Sequence, residues 1–580
     1  TKSNIRPGII NQDGTLNYTS VIRLRNLISL LKERGIYIDL TLHTANKIGF
    51  GTYDRFHKDP FHIIDVNAIA QQKAYACNLI QQLNLYNNPV LAMVEIDNET
   101  SLVNAWQEGR LDDVNPGEAY YPELLSPGNS TECPGIKPKF DPSSNEGGTA
   151  SERRCYVKHL VNLDQKYLDE LRTSIKSCSR KSSNPQVSVT GTQMAMGGLA
   201  NRISHANMDF IDTHSYIDHP SSFNFGAQFN NRSMVEDAFF PLESVALLRD
   251  PKKPFTLSEF NQSWPNEYGH EASLNFSAFG VLQNWNALMQ FNYMNSDEFD
   301  QNYPKGLVKN STSQAAAGFN LYGDPSRLAG FAQASKLFRT MDLNNVPSET
   351  MNYLSNDALN IAQFMNLQNG KAVSHKQFNI LFDTRSLSQS YATKSQNGLL
   401  NSRLSSNVIE SGARSLTSLP VAKAQDNILF NTVEQNNQKK GLYINNNDIV
   451  AINCMPGEVR DNAGRILPYK SCGSSLLELR YLNPNQASKL ATVILSKLSN
   501  PNEYLLTIPG SSYRVLKRKD DVSGIFGLGK AALFLERLIS KNNDGKYRLI
   551  NPDEKAISSW DMSKYDQDSV VMKRPKATVR

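Results

Sequence analysis

The feature that most constrains the fold is a series of short apolar segments separated by helix-like segments or long connections. Six of these segments are predicted to be strands, at 36–43, 90–96, 186–192, 210–216, 254–260 and 287–293. The spacing of apolar residues predicts helices over 19–33, 63–83 and 160–177. Apolar strands joined by helices or long crossovers are typical of a parallel sheet buried on both faces. The first 345 residues are therefore predicted to form an α/β domain.

Polar side chains are concentrated where the predicted strands end. The hydrogen-bonding or ionisable residues at these carboxyl ends are His43, Asn98, Glu99, Gln193, His214, Tyr216, Glu259, Asn292 and Tyr293. In α/β barrels the catalytic groups lie at this end of the strands. Because an uncompensated buried carboxylate is costly, two glutamates in such places predict that they work as a pair.

Glu99 and Glu259 are the candidate pair. Two carboxyl groups can cleave a glycosidic bond: one, protonated, delivers a proton to the leaving oxygen, and the other stabilises or attacks the anomeric carbon. Glu95 shares a strand face with Glu99 by period-two alternation, and it is interpreted as a structural residue paired with a basic group inside the barrel.

Two motifs around these glutamates resemble the catalytic segments of clan A glycoside hydrolases. Residues 96–99, Ile-Asp-Asn-Glu, are similar to the Asn-Glu that closes the fourth barrel strand, and residues 256–261 are similar to the seventh-strand nucleophile segment. Two predicted strands lie between the motifs, as that barrel order requires. The resemblance, to cellulase-like family 5 enzymes, covers roughly residues 15–340. It implies a (β/α)8 TIM barrel with Glu99 as acid/base and Glu259 as nucleophile.

Further residues carry over from the resemblance one at a time. His43 resembles the third-strand histidine that lines the subsite of the scissile sugar, and Asn98 the asparagine that binds the 2-hydroxyl. His214 and Tyr216 match the sixth-strand segment in which a histidine or a tyrosine steadies the nucleophile. Which of the two does so here is left open.

The aromatic residues depart from the family pattern. Tyr293 stands where the clan usually has a tryptophan at the end of the eighth strand. Trp264, after Glu259, could supply the flat apolar face on which a sugar ring stacks, or it could pack in a loop or between domains. Trp106 has the same two interpretations.

The largest departure is at the start of the chain. If the strand ending at His43 is the third, strands one and two are missing, together with an arginine that the clan places on the second. Such a barrel would have unpaired edges on its third and eighth strands. The resemblance therefore implies either about 80–150 further residues upstream or another polypeptide that closes the barrel. Alone, the segment is expected to be inactive or poorly soluble.

The chain is predicted to divide near residue 345. Residues 1–345 form the barrel with a polar insertion loop at 108–155, and residues 346–580 form a β-rich module. That module has short strand-like runs between Asn, Gly and Ser turns, at 378–382, 448–453, 491–495 and 503–508. These runs predict an antiparallel β-sandwich that either binds glycan or braces the barrel, and its scattered aromatic residues favour bracing.

Composition excludes several other classes. The 61 Lys and Arg exceed the 56 Asp and Glu by 61 − 56 = 5, an excess too dilute for a nucleic-acid-binding face. No run approaches about 18 apolar residues, so no membrane span is predicted.

The cysteine spacing does not match zinc sites. It allows disulfides between Cys133 and Cys155 and between Cys454 and Cys472, whereas Cys77 is interpreted as a buried thiol. Paired cysteines and a glycan substrate together predict a secreted, periplasmic or cell-surface protein.

The predicted reaction is retaining hydrolysis of a β-glycoside in a poly- or oligosaccharide, without metal or organic cofactor. Glu259 attacks the anomeric carbon while Glu99, whose pKa must be the higher, protonates the leaving oxygen and later deprotonates water. Two alternatives remain open. One is a catalytically impaired carbohydrate-binding or structural protein on a decayed barrel, and the other is a transglycosylase.

Overall fold

The fold is described from a computed structural model. The described residues are 8–11, 15–43, 60–107, 111, 150–181, 184–193, 201–217, 228–229, 234, 242, 244–246, 248–262, 266, 268–293, 319–321 and 325–340, and, beyond residue 345, the strands whose bounds are given below.

The first half of the α/β segment is a three-stranded parallel sheet with helices packed against it. The strands pair in chain order: β1 Ile38–Thr41, β2 Leu91–Glu95 and β3 Ser188–Thr190. The helices are α1 Tyr18–Glu33, a 3-10 turn Pro60–Ile63, α2 Val66–Gln82, α3 Leu102–Gln107 and α4 Ala150–Ser179.

Capping side chains set the starts of the first two long helices. The Asn17 side chain accepts a hydrogen bond from the Ser20 amide (3.1 Å), and Asp65 accepts from Asn67 and Ala68 (2.8 and 3.3 Å). These acceptors satisfy amides that have no partner inside the helix. The buried face of α2 then packs into the same apolar cluster as α4 and the first sheet.

The second half is another three-stranded parallel sheet. Its strands are β4 Ile211–Tyr216, β6 Phe255–Asn261 and β7 Ala287–Gln290, and the short β5 Gln228–Phe229 lies outside it. The helices are α5 Asn201–Ser204, α6 Ser244–Ala246, α7 Ala272–Gln283 and α8 Pro325–Thr340. Every residue of α7 is buried.

Two hydrogen bonds join the two sheets where β3 meets the start of β4. The Asp209 amide donates to the Val189 carbonyl at 2.9 Å, and the Thr190 hydroxyl donates to the Phe210 carbonyl at 2.9 Å. The six strands thus follow one another in chain order. Within the described residues, β1 and β7 each pair along one side only.

The parallel pairing and all six predicted strands are confirmed, although most strands are shorter than predicted. The prediction that 108–155 is a loop is wrong at its carboxyl end, because α4 already begins at Ala150. Residues 112–149 lie outside the described residues.

Beyond residue 345 the described elements are strands. The bounds are β8 Ser348–Leu354, β9 Arg403–Ile409, β10 Phe430–Gln435, β11 Gln438–Asn445, β12 Ile449–Cys454, β13 Val459–Arg460, β14 Ile466–Leu467, β15 Ala491–Lys497, β16 Tyr504–Thr507, β17 Tyr513–Lys517, β18 Ser523–Gly527, β19 Ile539–Lys541, β20 Tyr547–Leu549 and β21 Thr578–Val579. Three of the four predicted runs correspond to β12, β15 and β16. The run at 378–382 lies outside the described residues.

These strands form two larger antiparallel sheets, in the orders β10-β11-β12-β15-β16-β21 and β17-β18-β19-β20-β5. Two strand pairings are not expected of the separate antiparallel module that the sequence predicts. β8 and β9 pair in parallel, and β5, from the first 345 residues, pairs with β20.

The disulfide in the described part of the chain joins Cys77 to Cys178, which links α2 to α4. The interpretation of Cys77 as an unpaired thiol is therefore wrong. Cys133 and Cys472 lie outside the described residues, so both predicted pairings remain predictions. Among the described helices, none is both long and apolar enough to cross a membrane.

Candidate active site

Three predicted catalytic or binding residues meet at the carboxyl edge of the sheets. Glu99 follows β2, His214 lies on β4, and Glu259 lies on β6. One oxygen of each glutamate and one ring nitrogen of His214 all lie within 4.8 Å of one another. The ends of parallel strands share one edge, which explains why residues up to 160 positions apart in the sequence converge here.

The backbone at Glu99 has an uncommon conformation that its neighbours stabilise. Its φ angle is +48°, in the left-handed region that side chains with a Cβ rarely adopt. The Glu99 amide donates to the side-chain oxygen of Gln193 at 2.6 Å, and the next amide donates to the Thr192 hydroxyl at 3.0 Å. The residues after β3 therefore fix the turn that directs Glu99 into the site.

His214 lies between the two glutamates. Its Nδ1 is 2.7 Å from Glu99 Oε1 and 3.4 Å from Glu259 Oε2, and its side chain is 3% exposed. Burial alone would lower the pKa of the ring, but the two carboxylates outweigh it and raise the pKa of His214 to about 9. An imidazolium at this position offsets part of the negative charge of the pair.

Tyr216 contacts the other side of Glu259. Its hydroxyl donates to Glu259 Oε2, and its ring packs against the rings of Phe291 and Phe319 at centroid distances of 6.3 and 5.2 Å. Burial and the charge of Glu259 raise the pKa of Tyr216, so the phenol remains a donor. Burial and the charges of Glu99 and Glu95 raise the pKa of Glu259 above its ordinary value, although His214 and the Tyr216 hydrogen bond oppose the rise.

Behind His214 lies a group that the sequence interpretation did not include. His214 Nε2 is 3.0 Å from Ser258 Oγ, and the Ser258 hydroxyl donates to Asp212 Oδ2 at 2.5 Å. Asp212 Oδ1 also accepts from the Thr256 hydroxyl and from the Ser258 amide, the latter at 3.1 Å. Period-two alternation puts Asp212 on the same strand face as His214, and that signal could have identified it.

A second layer of carboxyl groups lies below the site. Burial, followed by the charge of Glu95, raises the pKa of Asp212 to about 8. Burial, Glu95 and Asp212 raise the pKa of Asp39 well above its ordinary value. The predicted basic partner of Glu95 is not found among the described residues. Instead Glu95 Oε2 accepts hydrogen bonds from Thr41 (2.8 Å) and Gln193 (3.0 Å).

The other predicted sugar-binding residues are more dispersed. His43 is 1% exposed and packs against the ring of Tyr75, while its carbonyl accepts a hydrogen bond from the half-buried Asn98. Tyr293 is 62% exposed. Trp264 lies outside the described residues. Trp106 is fully buried in the core against Tyr156, so the packing interpretation is correct for it.

The Glu99, His214 and Glu259 ligand atoms are also close enough for a cation. However, His214 Nδ1 lies against oxygens of both carboxylates, an arrangement that a protonated ring satisfies without a metal. Chemically, the group offers two neighbouring carboxyl groups in different environments, which is the requirement for paired acid and nucleophile chemistry.

Comparison with known proteins gives no match to a family model and none to a curated protein. Among solved structures, a GH5_18 protein from Bifidobacterium longum subsp. infantis is 11% identical, with a TM-score of 0.35 over 69% of this chain and 84% of that chain. A beta-galactosidase from the psychrophilic Marinomonas ef1 is 11% identical, with a TM-score of 0.34 over 70% and 64%. The agarase AgWH50C is 12% identical, with a TM-score of 0.31 over 63% and 46%.

Proposed function

We propose that this protein is a retaining β-glycoside hydrolase that acts on a poly- or oligosaccharide by double displacement. The observation that carries the proposal is the approach of Glu99 and Glu259 oxygens to within 4.8 Å. Retaining enzymes have carboxyl groups about 5–5.5 Å apart, whereas inverting enzymes need about 6.5–9.5 Å to admit a water. The short separation favours retention.

The surroundings of each glutamate support different roles. Glu259 has a phenol donor from Tyr216 and a cation from His214, and both stabilise the carboxylate that attacks the anomeric carbon. Glu99, at the end of the turn after β2, protonates the departing oxygen and in the second half-reaction removes a proton from water. Asn98, Tyr293 and Trp264 are proposed to contact the sugar, whereas His43 is only 1% exposed and offers it no accessible surface in this structure.

The proposed fold is a (β/α)8 barrel of which this chain supplies strands three to eight. Six parallel strands in chain order, with β1 and β7 paired on one side only in the described part, support it. A further segment, from the same protein or another chain, is proposed to pair with both edges. The Cys77–Cys178 disulfide supports a secreted, periplasmic or cell-surface location.

The test is covalent trapping in the native protein. A mechanism-based fluoro-sugar that slows hydrolysis of the glycosyl-enzyme should label the peptide that carries Glu259, as identified by mass spectrometry. Glu259→Gln should abolish labelling and lower turnover on the order of a thousandfold or more.

Glu170→Gln is the matched control, because this carboxylate pairs with Lys73 between α2 and α4 and does not contact the site. It should leave labelling unchanged. Turnover without any labelled glutamate, or a label on Glu99, would overturn the assignment.

A further inference from the structure

The hydrogen bonds behind His214 form a chain with one direction. Asp212 Oδ2 accepts from the Ser258 hydroxyl at 2.5 Å, and Ser258 Oγ lies 3.0 Å from His214 Nε2. Because the only hydroxyl proton of Ser258 is directed to Asp212, its oxygen is left to accept from the ring. Nε2 therefore carries a proton, and Nδ1 carries the one that faces the two glutamates.

This direction is compatible with a protonated Asp212 when the proton lies on Oδ1, because a protonated oxygen, unlike an amide NH2, keeps a lone pair that can accept from the Ser258 amide. Asp212 Oδ1 contacts the Thr256 hydroxyl, which can donate in turn to the Ile211 carbonyl at 3.5 Å. A proton on Asp212 can thus be accommodated on the Oδ1 side while Oδ2 continues to accept from Ser258.

We propose that Ser258 and Asp212 are positioning residues that keep His214 a double donor, with a positive charge between Glu99 and Glu259. Ser258 contacts the ring, and Asp212 acts through Ser258. The consequence for the reaction, which rests on the proposed function, is that Glu259 remains ionised although it is partly buried and close to a second carboxyl group.

The charges around the ring agree with this role. Glu99 faces His214 from the turn after β2, Glu259 from β6, and Asp212 and Tyr216 from β4 itself, with Glu95 and Asp39 one layer below. All are acidic groups, so His214 is the basic group in this set. A ring held as a neutral acceptor would leave the glutamates without a charge partner.

The test is an NMR titration of histidine-labelled protein, in which the His214 signal among the nine histidines is assigned by its loss in His214→Gln. Ser258→Ala should lower the pKa of His214 by about one unit or more, because the charged ring loses an acceptor. Asp212→Asn should lower it too. In that variant the side-chain oxygen of the asparagine accepts from the Ser258 backbone N–H, which places its NH2 group next to Ser258 Oγ. The NH2 group then donates to Ser258, and the hydrogen bonds from residue 212 to His214 reverse their direction.

Two controls separate this effect from general damage. Ser258→Thr keeps the hydroxyl and should restore the pKa of His214. Ser204→Ala removes a hydroxyl that lies 3.1 Å from a different buried histidine, His205, and should leave His214 unchanged. An unchanged His214 pKa in Ser258→Ala, with the fold intact by circular dichroism, would overturn the proposal.

Activity provides an independent measurement. In Ser258→Ala the positive charge of His214 is lost at lower pH, so kcat/KM should begin to fall at lower pH on the alkaline side of its profile, while the acid limb, where the ring is protonated in both proteins, stays in place. A loss of stability alone would not move the alkaline side and leave the acid limb in place. If the wild type cleaves no glycoside but the NMR shifts appear, the proposed reaction fails and the positioning of His214 stands.

Discussion

At the scale of single residues, Tyr216 gives the sharpest prediction. Tyr216→Phe removes the hydroxyl that donates to Glu259 while keeping the ring against Phe291 and Phe319. A hydrogen bond to a charged group contributes about 1.5–3 kcal/mol, so kcat/KM should fall by about tenfold to a hundredfold. The pKa of Glu259 should rise because its carboxylate loses a donor, and the acid limb of the pH–rate profile should move to higher pH.

The control for this prediction is Tyr167→Phe. The Tyr167 hydroxyl donates to the Gln72 side chain at 2.8 Å, in the packing between α2 and α4. Its loss should lower stability while the acid limb stays in place. Equal movement of the acid limb in both variants would contradict a specific effect of Tyr216 on Glu259.

The sequence identified individual residues where burying a charged side chain would cost free energy. The convergence of Glu99 and Glu259 could be predicted because charged groups at the ends of apolar strands are rare. The choice between His214 and Tyr216 as partner of Glu259 could not be made, since it depends on side-chain geometry. Both contact Glu259. Ser258 was missed because a serine in a strand carries no distinctive signal, and Asp212 was missed although its place on the strand face of His214 could have identified it.

At the scale of elements, the disulfide between α2 and α4 gives a stability prediction. Cys77 and Cys178 are 101 residues apart, so the bond restricts a long loop in the unfolded chain. Replacing both cysteines by serine should lower the free energy of unfolding by about 2–4 kcal/mol, measured by urea denaturation. Wild-type protein treated with reductant should behave like the variant. Equal unfolding midpoints for oxidised and reduced protein would contradict the prediction.

Elements were predictable where they rely on local patterns. The spacing of apolar residues predicted α1, α2 and the six strands. A helix or a strand with one buried face needs apolar residues at its own period, so the spacing indicates the type of element. The early start of α4 and the pairing of Cys77 were not predictable. The first six residues of α4 belong to a polar stretch, and the disulfide depends on how two distant helices pack.

At the scale of the whole molecule, the order of the parallel strands follows the chain and was predictable. Crossover connections join neighbouring strands in that order. The pairing of β5 with β20 could not be inferred, because it joins segments more than 300 residues apart and two-residue strands have no sequence signature. The boundary near residue 345 marks a change in sequence composition. The strand pairing crosses it, because β5 lies before residue 345 and β20 lies after it.

The pH dependence of the stability of the whole molecule follows from its buried groups. Asp212 has a pKa of about 8 against 3.8 when unfolded, and His214 about 9 against 6.5. In both cases the folded protein binds the proton more tightly. The unfolded chain therefore holds fewer protons, and stability falls as the pH rises. The stabilising contribution of His214 is complete below pH 6.5 and is lost by pH 9, and the cost of Asp212 grows up to pH 8.

Asp212→Asn tests this directly, because it removes one titrating group and weakens the other. Between pH 6.5 and 8, its free energy of unfolding should rise relative to that of the wild type by roughly 1 kcal/mol per pH unit, measured by urea denaturation.

Asp209→Asn is the control. Burial opposes ionisation of Asp209, but Arg172 and Lys176 lower its pKa, so its contribution is already complete above pH 4 and lost only in acid. That variant should be destabilised by a constant amount over the same range. Parallel stability curves for wild type and Asp212→Asn would show that Asp212 does not titrate in this window and is already ionised at neutral pH.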